Sequence, residues 1–144
     1  MAITQTTCTS FKVELFKAEH DFDVHTFKIA LYTSSASLGA STTVYSATNE
    51  ITNTSGTAYV AGGATLTVAT DFPKSIGTTG IVDFDNVSWT DASFTARGAL
   101  IYNSSASNKA VAVLDFGSDR SASASTFEIQ FPLAGATSAI LRIT

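Results

Sequence analysis

The sequence predicts an all-β protein: an antiparallel β-sandwich, jelly-roll or Ig-like, of about 7–8 strands with a short N-terminal helix. Three observations carry this. Apolar and polar residues alternate at period two through most of the chain, the pattern of strands with one covered face. Between the alternating runs lie "SSASLGAST" (34–42), "NTSG" (53–56), "GTTG" (77–80), "NSSASN" (103–108) and "GSDRSASAS" (117–125), all turn or loop chemistry. Hydrophobic residues make up 44% of the 144 and charged residues 14%, while Ser and Thr supply more than a quarter. Phe, Ile, Leu and Val are plentiful enough to exclude a disordered tail. The length suits one domain, expected over 1–144 with 1–20 as a helix-bearing N-terminal segment, and able to bury roughly two-thirds of its unfolded surface.

The elements follow in order. Thr9 and Ser10 are able to cap a helix reaching about residue 18, since their hydroxyls accept from the first free backbone N–H groups. Phe11, Leu15, Phe16 and Ala18 give it an apolar stripe at helical spacing. A helix this short is marginal alone, so it must dock, either on its own sheet or on a neighbouring chain. In "HTFKIALYT" (25–33), Phe27, Ile29 and Leu31 share a strand face. The stretch 34–63 reads as long loops with a short strand near Val44. "ATLTVAT" (64–70) alternates Leu66 and Val68 with threonines. "GIVDFDNVSWT" (80–90) changes phase, with Val82 and Phe84 even but Val87 and Trp89 odd, which predicts a bulge or break near Asp85 and Asn86. "STFEIQF" (125–131) points Phe127, Ile129 and Phe131 inward, and "AILRIT" (139–144) closes the chain as a strand. No internal repeat is present.

The strand "ASFTARGALIYN" (92–103) sets a problem, because Arg97 sits among apolar residues and a buried charge needs a partner. "ALIYN" and "KAVAVLDF" flank the loop 103–108 as a hairpin. A register placing Tyr102 opposite Ala110 also places Leu100 opposite Ala112 and Gly98 opposite Leu114, so that large residues meet small ones. The same register sets Arg97 opposite Asp115. The expectation is a structural cross-strand pair, with Arg97 as a ligand-binding residue the rival reading.

Catalytic signatures are absent: there is no G-x-S-x-G, P-loop, H-E-x-x-H or cysteine cluster. No catalytic, cofactor-binding or metal residues are assigned, no cofactor is expected, and the chain reads as a non-enzyme. "HDFDVH" (20–25) offers His20, His25, Asp21 and Asp23 to a metal such as zinc, against a plain polar turn. Asp83, Asp85 and Asn86 form a fragment of a calcium loop without its glycine or distal glutamate. Trp89, Tyr32, Tyr45, Tyr59 and Tyr102 are candidates for a sugar-stacking platform, although Trp89 on an alternating strand also suits a core. Cys8 is the single cysteine, so no intrachain disulfide forms, and it reads as an inert small residue rather than a reactive thiol. The net charge of −4 and the scattered Lys and Arg argue against nucleic acid and against a membrane surface as partners. No secretory signal or membrane-length apolar run is visible.

The segment from Trp89 to Pro132 resembles small virion structural proteins of tailed bacteriophages. The features are the strand carrying Thr95-Ala96-Arg97, Ala99 and Ile101-Tyr102, a polar loop, the strand end Leu114 to Asp119, and a closing strand with Thr126-Phe127 and Ile129-Gln130. "KIALYTSSASLGASTTVYS" (28–46) and the run from Asn49 to Thr67 are similar to that group as well, so most of the chain is covered. The resemblance implies a virion structural part made in the host bacterial cytoplasm. The expected role is a decoration (cement) protein on the capsid surface, with the major capsid protein and further copies of itself as partners. A trimer suits capsid three-fold positions, and Phe11, Leu15 and Phe16 are the candidate assembly contact. Loops 34–42, 53–63 and 117–125 are further candidates for contact. The alternatives are a tail or head-fibre component, with tail proteins as partners, or a glycan-binding adhesion module.

Overall fold

The computed structural model describes residues 2–52 and 58–144. The chain is mostly β, with one short helix among the described residues and two antiparallel sheets. Strand β1 (Thr6–Thr7) leads into α1 (Thr9–Phe16), followed by β2 (Phe27–Tyr32) and β3 (Ala64–Thr65). Then come β4 (Lys74–Ile76), β5 (Thr79–Val82), the long pair β6 (Val87–Asn103) and β7 (Lys109–Ile129), and β8 (Leu141–Ile143). The larger sheet has the order β1-β7-β6-β2-β3 and the smaller β4-β5-β8. The expected turn at 53–56 falls outside the described residues.

The long β6–β7 hairpin organises the molecule. Its turn lies between Asn103 and Lys109, where the polar loop was expected, and Tyr102 pairs with Ala110 as the sequence implied. One step on, the register slips, so Leu100 faces Val113, Ala99 faces Leu114 and Gly98 faces Asp115. The size argument fails to detect this, because small residues occur at both spacings. A larger irregularity separates the Gly98–Asp115 pair from the Ala96–Arg120 pair. It places extra residues of β7 around Gly117, whose φ of +79° only glycine adopts cheaply.

Three expectations are corrected here. Residues 117–125 are not a loop but part of β7. Their Ser and Ala side chains pair with β6 as a mostly exposed ribbon, with Thr95 Oγ1 and Ser121 Oγ 2.6 Å apart. Residues 64–70 form a strand only at Ala64–Thr65, while Val68 makes a single bridge to Phe84. Similarly, Val44 makes an isolated bridge to Lys109 rather than a strand. The phase change near Asp85 and Asn86 is a break: β5 ends at Val82 in the small sheet and β6 begins at Val87 in the large one.

The core is apolar and aromatic. β2 and the inner half of β6 are covered on both faces, which is why Ala30, Tyr32, Ala99 and Ile101 are buried beside their alternating neighbours. Gly63 lets β3 approach β2, since a Cβ there would lie 1.8 Å from Ile29 O. Phe22 stacks on Phe27 with ring centroids 4.3 Å apart, Phe27 meets Phe84 at 6.3 Å, and Phe84 meets Phe131 at 5.9 Å. This run of rings ties the turn after α1 to the large sheet and to the β5–β6 connection.

The helix differs from its expected form. It spans Thr9–Phe16, Cys8 is its N-cap, and neither Thr9 nor Ser10 caps it. Ser10 Oγ is instead buried without a hydrogen-bond partner. The apolar stripe divides: Phe11 is in the core, Leu15 packs at its margin, and Phe16 is 94% exposed. The position four residues after Ser10 is Glu14, which is buried on the inward face. Phe11, Leu15 and Phe16 therefore differ widely in exposure, although all three border one groove beside the helix. Burial of Phe11 docks the helix on its own sheet, and Phe16 projects freely.

Candidate functional site

Two closed polar clusters and one open groove hold the side chains with chemical potential. The first cluster surrounds Glu50, a buried carboxylate in the polar stretch that the sequence left unreadable. Tyr45 Oη donates to Glu50 Oε2 at 2.6 Å, while Tyr59 Oη and the Gly62 N–H donate to Oε1 at 2.5 and 2.7 Å. Tyr102 Oη donates to Gly62 O at 2.6 Å and Tyr32 Oη to Ser46 O at 2.7 Å. Tyr45 lies flat on Tyr102, with centroids 4.7 Å apart. All four tyrosines are thus gathered, as a stacking platform requires, but they are turned inward. Tyr32, Tyr59 and Tyr102 are buried, and so is Trp89. Burial first, and the Glu50 charge after it, pushes the Tyr102 hydroxyl up to about 12 and raises the other three. These phenols are fixed donors: three are buried, and the partly exposed Tyr45 has one ring face stacked on Tyr102.

The second cluster joins α1, the turn after it and the tip of the β6–β7 hairpin. His20 and His25 both meet the Asn103 side chain, His20 also meets Glu14, and Lys109 bridges Glu14 and Glu19. His20 is buried rather than solvated, which corrects the reading of 20–25 as an open polar turn. Burial holds its imidazole below the ordinary histidine range, opposed by Glu14. Among the described residues no three His, Cys, Asp or Glu side chains converge as a metal site. Asp21 instead accepts the Asp23 N–H at 2.9 Å, an Asx turn.

Arg97 and Asp115 do meet, with Nε and Oδ1 3.3 Å apart and both side chains about a third exposed at 35% and 27%. The predicted partnership stands although the predicted register does not. Arg97 lies in the irregularity between Ala96 and Gly98 and reaches Asp115 diagonally. Asp115 accepts the Gly117 N–H at 2.8 Å, and that bond, then Arg97, holds its carboxyl below the usual range. Cys8 is fully buried, and burial with the Glu14 charge pushes its thiol up to about 11, so it is a poor nucleophile. The Asp83 carboxyl is raised by burial, and Asn86 Oδ1 accepts the Phe131 N–H at 2.9 Å, which ties Asn86 to the segment just after β7.

One open feature is a groove of about 980 Å³ between α1 and the small sheet. Phe11, Leu15 and Phe22 line one wall, and Ile81, Leu141 and Ile143 the other. Phe16 stands on its rim. Asp21 and Asp23 lie on the helix side, Lys74 and Arg142 on the sheet side. The sequence offered Phe16 but not the opposite wall, because β5 and β8 are short strands whose proximity to α1 is wholly long-range. No described helix is long and apolar enough to cross a membrane. Comparison with family models, curated proteins and solved structures finds no match to this chain.

Proposed function

We propose that this chain is a non-enzymatic structural protein of a tailed-bacteriophage virion, made in the bacterial cytoplasm and placed on the outer capsid surface as decoration. In this reading the two antiparallel sheets act as the layers of a β-sandwich. The partners are the major capsid protein and further copies of the chain, with a trimer matching capsid three-fold positions. The observation that carries the reading is Phe16, 94% exposed on the rim of an apolar groove. A projecting aromatic beside a matching cleft, rimmed by charges of both signs, is the form of a protein-contact surface. Closed symmetry is the usual outcome for identical chains. The glycan-binding alternative needs exposed Trp89 or an exposed tyrosine cluster, whereas Trp89, Tyr32, Tyr59 and Tyr102 are buried and Tyr45 is partly exposed.

A decoration protein stabilises by mass action: it binds the assembled lattice better than dispersed subunits, so disassembly must also break its contacts. Several subunits bridged at once make later contacts intramolecular. The exposed Ser-rich ribbon of β7 supplies adaptable hydrogen bonds at a wet surface. Particles carrying the protein are expected to release their genome at a higher temperature than particles lacking it. Equal release temperatures, with labelled protein imaged on the tail, would overturn decoration in favour of a tail component.

A further inference from the structure

One amide ties the helix and its following turn to the hairpin tip. Asn103 is 0% exposed, and its Oδ1 accepts the Ser105 N–H at 3.0 Å. That bond turns Nδ2 toward two imidazoles, His20 Nδ1 at 3.1 Å and His25 Nδ1 at 3.0 Å. An amide nitrogen has two hydrogens, so each imidazole receives one, and both Nδ1 atoms must present lone pairs. The His20 proton is therefore on Nε2, where it donates to Glu14 Oε2 at 3.3 Å. His25 Nδ1 also accepts the Asp21 N–H at 3.2 Å. Every polar atom of the Asn103 side chain is used, and both Nδ1 atoms are engaged as acceptors.

We propose that Asn103, His20 and His25 form an acid-released clasp that holds residues 9–25 on the β6–β7 hairpin. A proton added to His20 Nδ1 converts an acceptor into a donor facing the Asn103 donor, and the contact becomes repulsive. Glu14 favours a positive His20, but His20 Nε2 already donates to it in the neutral form, so the added proton goes to Nδ1. Lys109, from β7, shares Glu14 at 3.4 Å and pairs with Glu19, which weakens the pull of Glu14 on His20. The rings of Phe11 and Phe27 flank His20 and give an added charge no solvation. On the His25 side the facing charged group is Asp21, whose carboxylate is engaged by the Asp23 N–H. The lowered proton affinity of buried His20 agrees in direction.

The sign follows from linkage. Unfolded imidazoles take up protons near pH 6.5, while folded His20 resists until lower pH, so the clasp is intact above about 6.5 and weakens as pH falls. The clasp stands whether or not the nearby groove binds a partner. The experiment is hydrogen exchange on the full chain at pH 7.5 and 5.0, corrected for intrinsic rates. Opening of residues 9–25 is expected to rise about tenfold at pH 5.0 for each unit of pKa separation, with residues 109–114 unchanged. Asn103→Asp places a carboxylate against the two Nδ1 atoms and should reverse the sign, giving more protection at pH 5.0 than at 7.5. A flat wild-type profile, or the wild-type sign in the variant, overturns the clasp. Imidazole nitrogen NMR on the wild type covers the case of a variant that fails to fold. Unprotonated Nδ1 at pH 7.5, with a protonation midpoint matching the exchange rise, supports the clasp; protonated Nδ1 at pH 7.5, or protonation without that rise, overturns it.

Discussion

Replacing Glu50 by alanine removes the acceptor for two tyrosine hydroxyls and the Gly62 N–H at once. Buried donors left without an acceptor cost about 1–3 kcal/mol each. A loss of roughly 3–5 kcal/mol is expected once the site relaxes, read as the change in urea unfolding free energy. Glu50→Gln retains an acceptor and should lose less. The Arg97–Asp115 pair stands in contrast, because solvent reaches both side chains. Arg97→Gln is expected to leave the neutral-pH urea midpoint nearly unchanged. The depressed Asp115 pKa gives the sign of its pH dependence. Its contribution is present above the unfolded carboxyl value near 4 and is lost as pH falls through the lower folded one, so any deficit of the variant should vanish in acid. Arg97 and Asp115 were legible as partners because opposite charges on adjoining strands tolerate a one-residue slip. Glu50 was not legible, because its donors come from residues 45, 59 and 62, in a stretch without periodicity.

The β6–β7 element depends on close approach at Gly98. A Cβ there would lie 2.5 Å from Leu114 O and 2.9 Å from Ile3 Cγ2, so Gly98→Ala must displace backbone. Its cost is expected to be about 1–3 kcal/mol, the range of overpacked cores, measured by thermal or urea unfolding. In α1, Phe11→Ala should cost about 3–5 kcal/mol, as for other buried aromatics. Phe16→Asp, one turn on, should leave stability within about 0.5 kcal/mol of wild type, because nothing in the fold covers that ring. If the groove is the assembly contact, the same substitution lowers the sedimenting mass to that of the single chain. Unchanged mass would remove Phe16 from any such contact. The two helix residues looked equivalent in the sequence, since helical spacing defines a stripe but not which part of it the sheet covers.

At the scale of the molecule, stability should be graded along the hairpin. The inner half of β6 and β7 lies between β1 and β2, whereas β7 beyond Val113 has no strand on its outer edge among the described residues. Amides of Leu100–Ile101 and Val111–Val113 should therefore exchange most slowly, and those of 117–126 fastest within β7. Uniform protection along β7 would mean that another chain covers its edge, which is itself a finding about assembly.

The sequence by itself determined the β class, a short N-terminal helix, the hairpin turn at 103–108, the inward Phe127 and Ile129, and the break at 85–86. Each of these is written in local period or in turn chemistry, which neighbouring residues decide. Tertiary structure alone decided the register slip after Tyr102, the incorporation of 117–125 into a strand, the inward turning of the tyrosines around Glu50, and the joining of His20 and His25 through Asn103. Those outcomes depend on contacts between residues far apart in the chain, where the free energy of burying one side chain is set by what another segment brings to it.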